Sequence, residues 1–206
     1  MYKLFGTKMT GTCAIHAMLA ELAVPFEQIE VTTKEGQHLT EDYSKVNPRQ
    51  QVPSLMLPEG PVVTEGPAIL MHLADAHPEA GLAPRPGTSD RSQINRWLLF
   101  FAVNVYEGEL RKLFGSRYTK DPDGGEAVQT AASEYVDRHY LIFEEALADG
   151  PYFLGERFSI LDIYVWMLAQ WMNRGWLKDN CPKVVGLADA VKARPKIEPI
   201  HALNFG

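Results

Sequence analysis

The spacing of apolar residues changes several times along the first 78 positions of this 206-residue chain. "YKLFG" (residues 2–6) is a short apolar run that reads as a strand. In "TCAIHAMLAELA", Ile15, Met18, Leu19 and Leu22 recur at intervals of three and four, which predicts a helix with one apolar face. "PFEQIEV" alternates and predicts a second strand. "LTEDYSKVN" predicts a short, irregular helix. "SLML" and "PVVT" flank the turn signal "PEG" and predict an antiparallel hairpin. "PAILMHLADAH" places Ile69, Leu70, Leu73 and Ala76 on one side of a further helix. The order is β-α-β-α-β-β-α.

A stretch rich in Pro, Gly and Ala follows, "HPEAGLAPRPGTSD", and beyond it the strand signals stop. Residues 91–114 carry Ile94, Trp97, Leu98, Phe101 and Val105 at helical spacing, and 126–148 predict a second long helix. "FSILDIYVWMLAQWM" is apolar on every side, so this third helix is expected to be central and buried. Ser159 and Asp162 at its start are spaced as a capping box, with Phe158 and Ile163 as a hydrophobic staple. "KVVGLADAVKARP" predicts a fourth helix. The expected division is an α/β domain over 1–78, a linker over 79–90, and an all-α domain over 91–206.

The composition narrows the function classes. Net charge is −6 and no Lys/Arg cluster stands out, which argues against a nucleic-acid partner. No apolar run reaches the ~18 residues of a membrane span, and "MYKLFGTKMTG" is unlike a signal peptide, so a cytoplasmic protein is expected. The two cysteines, Cys13 and Cys181, are far apart and in no metal-ligand spacing; Cys181 reads as a small, half-buried residue. The six histidines form no ligand motif, so no metal is expected.

One stretch is unusual. "VNPRQQVPSLMLPEGPVVTEGPAIL" holds five of the fourteen prolines, although proline lacks the amide that regular structure uses. Pro67 suits the first turn of the helix that follows. Glu65, just before that turn, either complements the dipole of its own helix or belongs to a site that receives a charged ligand beside the free amides.

The element order, with "NPRQQVPSL", "TEGPAIL" and "FSILDIYV" at matching spacings, resembles the soluble glutathione transferase family across essentially the whole chain. In style and length the resemblance is to the bacterial beta class, without that class's catalytic cysteine at its usual place, which falls near Gly11. The resemblance implies a thioredoxin-like N-terminal domain, glutathione as co-substrate, no metal, and a homodimer. It implies a cis Val52-Pro53 bond whose neighbouring backbone pairs with the cysteinyl part of glutathione like an added strand. By the same resemblance, Glu65 and the Gly66 amide receive the γ-glutamyl end, with Gln51, Lys34 and His38 as further contacts. Glycine stands at 66 where the family most often has Ser or Thr.

The implied chemistry is attack of the glutathione thiolate on an electrophile. A free thiol has a pKa of about 8.5 and needs a hydrogen-bond donor, here at the start of the first helix. Family members place Tyr, Ser or Cys there. Thr12 aligns with the serine-type hydroxyl and is ranked first, Thr10 second and Cys13 third; Thr12 is also readable as a plain helix cap. His16 reads as a packed residue. Asn104, Tyr106, Arg111 and Phe114 are candidates for the electrophile site, with Trp171 and Trp176 further on. Leu99 and Tyr106 stand where the beta class has Asn and His, so a more apolar site and small hydrophobic electrophiles are expected. A glutathione-dependent disulfide oxidoreductase or peroxidase using Cys13, and a non-catalytic glutathione- or ligand-binding protein, are the alternatives.

Overall fold

Four short strands set the N-terminal unit. In the computed structural model, which describes residues 1–206, β1 (Tyr2–Gly6) lies between a parallel β2 (Phe26–Glu30) and an antiparallel β3 (Ser54–Met56). β4 (Val62–Thr64) closes the order β2-β1-β3-β4. A parallel pair needs a crossover, and α1 (Thr12–Leu22) supplies it. Leu4 and Leu55, opposite one another, are fully buried. So are Ile15, Met18 and Leu19 of α1 and Ile69, Leu70 and Leu73 of α3 (Gly66–Ala76), and the two helices touch. The next residue along β1, Phe5, points to the other face, as pleating requires. There it packs with Val31, Val52 and Tyr43 of α2 (Glu41–Val46). The sheet is therefore covered on both sides, in the predicted element order.

The helical unit spans Gly87–Ala190. Thr88 caps α4 (Ser89–Phe100) by accepting from the Arg91 amide at 3.3 Å. The single helix expected over 91–114 is interrupted: Phe101–Tyr106 is π-helical, and α5 (Glu107–Leu113) continues beyond it. α6 (Gly125–Ala146) contacts α5. All ten residues of α7 (Ile160–Ala169) are buried, as the all-round apolar pattern predicts. The capping box forms at its start. The Asp162 carboxylate accepts from the Ser159 amide (2.8 Å), the Ser159 hydroxyl (2.7 Å) and the Phe153 amide (2.8 Å). α8 (Arg174–Asn180) and α9 (Pro182–Lys192) follow. Cys181 between them is fully buried rather than half-buried, and burial pushes its thiol up to about 12.

The tail departs from the expected division. Residues Val191–Gly206, including α10 (Glu198–Phe205), belong to the first unit with Met1–Pro86. The cause is visible on α1. Glu21, near its end, accepts from Arg194 through both carboxylate oxygens (2.7 and 3.0 Å), and the Glu21 carbonyl accepts from Lys196 at 2.7 Å. A planar guanidinium and a carboxylate match at two points, which fixes orientation as well as distance.

Candidate active site at one end of the sheet

Strand register brings three loops together. Phe5 is opposite Ser54, and Ser54 is opposite Thr64. The chain leaves β1 through Gly6, enters β3 from Pro53 and leaves β4 into Glu65. All three therefore lie at one end of the sheet, where α1 and α3 also begin.

The Val52-Pro53 bond is cis, as the resemblance implies. The residues either side of it are tied to one phenol. The Tyr43 hydroxyl donates to the Gln51 carbonyl at 2.7 Å and shares a hydrogen bond with the Ser54 hydroxyl at 2.9 Å. The Asn47 amide donates to the same Gln51 carbonyl at 2.7 Å. Val52 is 8% exposed, and its backbone groups take no partner among the turn and loop hydrogen bonds of the chain. Buried backbone groups are rarely left unpaired, so this amide and carbonyl suit an extended peptide laid beside them.

Glu65 has φ 64°, a left-handed conformation in a residue with a full side chain. Such strain persists only where the surroundings enforce it, and it gathers at ligand sites. Glu65 immediately precedes α3, whose start has no side-chain cap and no acidic residue in its first turn. Gly66 begins that turn and Pro67 has no amide to satisfy. The Glu65 carboxylate is exposed and accepts from Arg49 at 3.0 Å. A free amine and a carboxylate on one ligand would find the acid and the helix start side by side. Arg49 lies within the "NPRQQVPSL" motif, but only the fold brings it to Glu65.

The start of α1 sets the three candidates for the thiol in different surroundings. Thr12 is 2% exposed. Its hydroxyl fills the place where a side chain at position 6 would stand: a Cβ on Gly6 would lie 1.9 Å from it. Thr12 is thus packed against Gly6 in the first helical turn. Cys13 is 1% exposed, and burial pushes its thiol up, so it is neither reachable nor ionised at neutral pH. Thr10 is half-buried. Its oxygen lies 2.7 Å from the Thr7 carbonyl and 2.9 Å from the Thr12 hydroxyl, and it accepts from the Thr12 amide at 3.3 Å. Thr10 has one proton to give. The Thr7 carbonyl and the Thr12 hydroxyl are the two acceptors within its reach. No acidic residue occupies the first turn of α1, so the positive end of its dipole is not offset. His16 packs edge-on against Phe26 at 5.4 Å, and burial lowers its pKa.

The other candidates are dispersed. Lys34 and the Gln51 side chain are exposed, and His38 is half-buried on the 3-10 turn Gln37–Leu39. In the helical unit, Asn104 lies in the π-helical segment, accepts from the Tyr135 hydroxyl at 2.5 Å and donates to the Phe100 carbonyl at 3.0 Å. Tyr106 meets Trp171 edge to face at 5.3 Å. Arg111 lies over the Tyr118 ring, and Phe114 lies under the Arg117 guanidinium. Asn104 and Tyr106 thus have different partners. Leu99 is 55% exposed. No cluster of His, Cys, Asp and Glu is placed to hold a metal ion.

Residues 1–75 match the family description "Glutathione S-transferase, N-terminal domain", and residues 109–199 match "Glutathione S-transferase, C-terminal domain". Glutathione S-transferase GstA of Escherichia coli O157:H7 is 31% identical over 192 residues, which is 91% of this chain and 92% of GstA. The chain belongs to the glutathione S-transferase family. The function that membership carries is glutathione transfer. The GST-like protein YncG of Escherichia coli K12, itself uncharacterised, is 28% identical over 206 residues, 99% of this chain and 98% of YncG. A glutathione transferase homologue from Sulfitobacter, solved with bound glutathione, has 26% identity and a TM-score of 0.90 with 98% of each chain covered.

Proposed function

We propose that this transferase conjugates the glutathione thiolate to small hydrophobic electrophiles, as a cytoplasmic homodimer. The observation that carries the reading is the convergence of three ligand-ready features at one sheet end: the Val52 backbone, the strained Glu65 before an uncapped helix, and the Thr10 hydroxyl at the start of α1. Glutathione has one group for each. Its cysteinyl backbone suits Val52, its γ-glutamyl ammonium and carboxylate suit Glu65 and the Gly66 amide, and its thiol suits Thr10. Gln51, His38 and Lys34 are the proposed contacts for the remaining polar groups. The Sulfitobacter relative, solved with bound glutathione, supports glutathione as the ligand.

Thr10 is too weak a base to take the thiol proton, which passes to solvent water. Its hydroxyl instead turns from the Thr7 carbonyl to donate to the sulfur, and the positive end of α1 adds to the stabilisation of the thiolate. Each unit by which this lowers the thiol pKa is worth about 1.4 kcal/mol. The thiolate then attacks the electrophilic carbon and the carbon–sulfur bond forms; an aryl halide expels halide with its electron pair, whereas an epoxide or enal keeps the pair on its own oxygen as alkoxide or enolate, which takes a proton from water. The Tyr106–Trp171 pair supports an aromatic or apolar acceptor, with Asn104, Arg111 and Phe114 as the other proposed lining residues. The burial of Cys13 weighs against a mixed-disulfide route.

No helix is long and apolar enough to cross a membrane, and large exposed apolar side chains at Leu99, Val103, Leu141 and Ile142 suit a partner subunit. Conjugation assays over a panel of aryl halides, epoxides and enals, run beside glutathione calorimetry, test the reading. Turnover of at least one electrophile with saturable glutathione dependence is expected. Binding without turnover across the panel would contradict the enzyme, and sedimentation at the 23.1 kDa chain mass would contradict the dimer.

A further inference from the structure

The loop that carries Thr10 is held by the far end of the chain. Met9, the residue before Thr10, has φ 58° and an exposed side chain. A left-handed conformation is unfavourable for a non-glycine residue, so something must hold it. The Met9 amide donates to Asn204 Oδ1 at 3.1 Å. Asn204 is 7% exposed, and its Nδ2 donates to the Ile200 carbonyl at 2.8 Å, one turn back in α10. The amide group of Asn204 is thus fixed at both ends, with its oxygen aimed at the loop. α10 is in turn fixed on α1, which it contacts directly. Just upstream of α10, Arg194 and Lys196 bind Glu21, whose side chain is only 6% exposed.

We infer that Asn204 is a positioning residue for the thiol-binding loop: through the Met9 amide it holds residues 7–12 in the shape that presents the Thr10 hydroxyl. The inference rests on the assignment of Thr10 as the thiol donor. A hydrogen bond from an Asn carbonyl to a main-chain amide carries no charge to the sulfur, so Asn204 acts on geometry alone. Displacing a donor by about 1 Å can cost up to a hundredfold in rate without touching the groups that bind the rest of the substrate. The Val52 and Glu65 contacts are made by other loops and stay in place. Loss of Asn204 should therefore separate turnover from binding.

The test uses Asn204→Leu and Asn204→Asp in the full chain. Asp keeps an oxygen acceptor for Met9; Leu keeps the bulk and loses the acceptor. Hydrogen exchange of the Met9 amide, measured without glutathione, reads the strap independently of any chemistry. It should speed up at least tenfold in Asn204→Leu and by less in Asn204→Asp, which keeps the acceptor for Met9 but loses the donor to Ile200. With glutathione, Asn204→Leu should lower kcat about tenfold or more, leave the glutathione KM within about twofold, and raise the ultraviolet-titrated pKa of the bound thiol by about one unit. Unchanged exchange at Met9 in Asn204→Leu would overturn the strap itself. Faster exchange with unchanged kcat and thiol pKa would overturn the link to thiol activation, and calorimetric binding of glutathione in both variants would show that the failure lay there and not in the glutathione site. Should Asn204→Leu fold poorly, deletion of residues 204–206 gives the same readouts.

Discussion

Thr10 and Thr12 are two residues apart and differ in what they can reach. Thr12 is packed against Gly6, and the half-buried Thr10 has its proton on a carbonyl that a better acceptor can replace. Thr10→Ala should lower kcat for conjugation roughly tenfold to a hundredfold, in line with loss of a hydrogen bond to a charged group, and Thr10→Ser should retain most of it; steady-state kinetics at fixed electrophile decides. Cys13→Ala should leave kcat and KM unchanged and cost stability of about 1 kcal/mol, because it trims a buried side chain outside the site. Sequence alignment points at Thr12 because it counts positions along the chain. It cannot see that the absence of a side chain at Gly6 opens a slot that swallows the Thr12 hydroxyl. The Asn47 and Tyr43 clamp on Gln51, and Arg49 on Glu65, were hidden for the same reason: each pair is distant or unpatterned in sequence and close only in the fold.

At the scale of elements, helix ends hold the most readable physics. α1 ends on Ala23 at φ 55°, an exposed left-handed cap where glycine is the usual residue. Ala23→Gly should raise stability by up to about 1 kcal/mol without altering activity, measured by urea unfolding. The start of α7 carries a pH signature. Burial raises Asp162 from 3.8 to about 6, although three donors pull the other way. A carboxyl whose folded pKa lies above its unfolded value binds its proton more tightly in the folded chain. Its contribution is therefore full below about pH 4 and is lost as pH rises through about 6, a change of roughly 3 kcal/mol. Urea unfolding across that window should show this decline in the native chain and a shallower one in Asp162→Asn, where only Glu109 and Asp137, also raised by burial, still contribute in that sense. The capping box itself was legible, because its residues are three apart and preceded an apolar run. The π-helical segment was not: Phe101–Tyr106 keeps helical periodicity in composition, and the widening of the turn leaves no local sequence mark.

For the whole molecule, the element order of the first unit and the helical character of the second follow from periodicity, which depends only on near neighbours. The tail does not. The last helix predicted from spacing is "KVVGLADAVKARP"; α10 lies beyond it, and its place on the first unit is tied to Glu21 accepting from Arg194, 173 positions away in sequence. Register is likewise a long-range property, and it is register that gathers Gly6, Pro53 and Glu65 at one sheet end. The proposed chemistry depends on glutathione being held there. Calorimetric titration of the native chain and of Glu65→Gln with glutathione tests this most directly. Saturable binding, weakened tenfold to a hundredfold by Glu65→Gln with the fold intact by circular dichroism, is the predicted result, since loss of a charge-assisted hydrogen bond costs about 1.5–3 kcal/mol. No heat of binding to the native chain at millimolar glutathione, or equal affinity in Glu65→Gln, would contradict it.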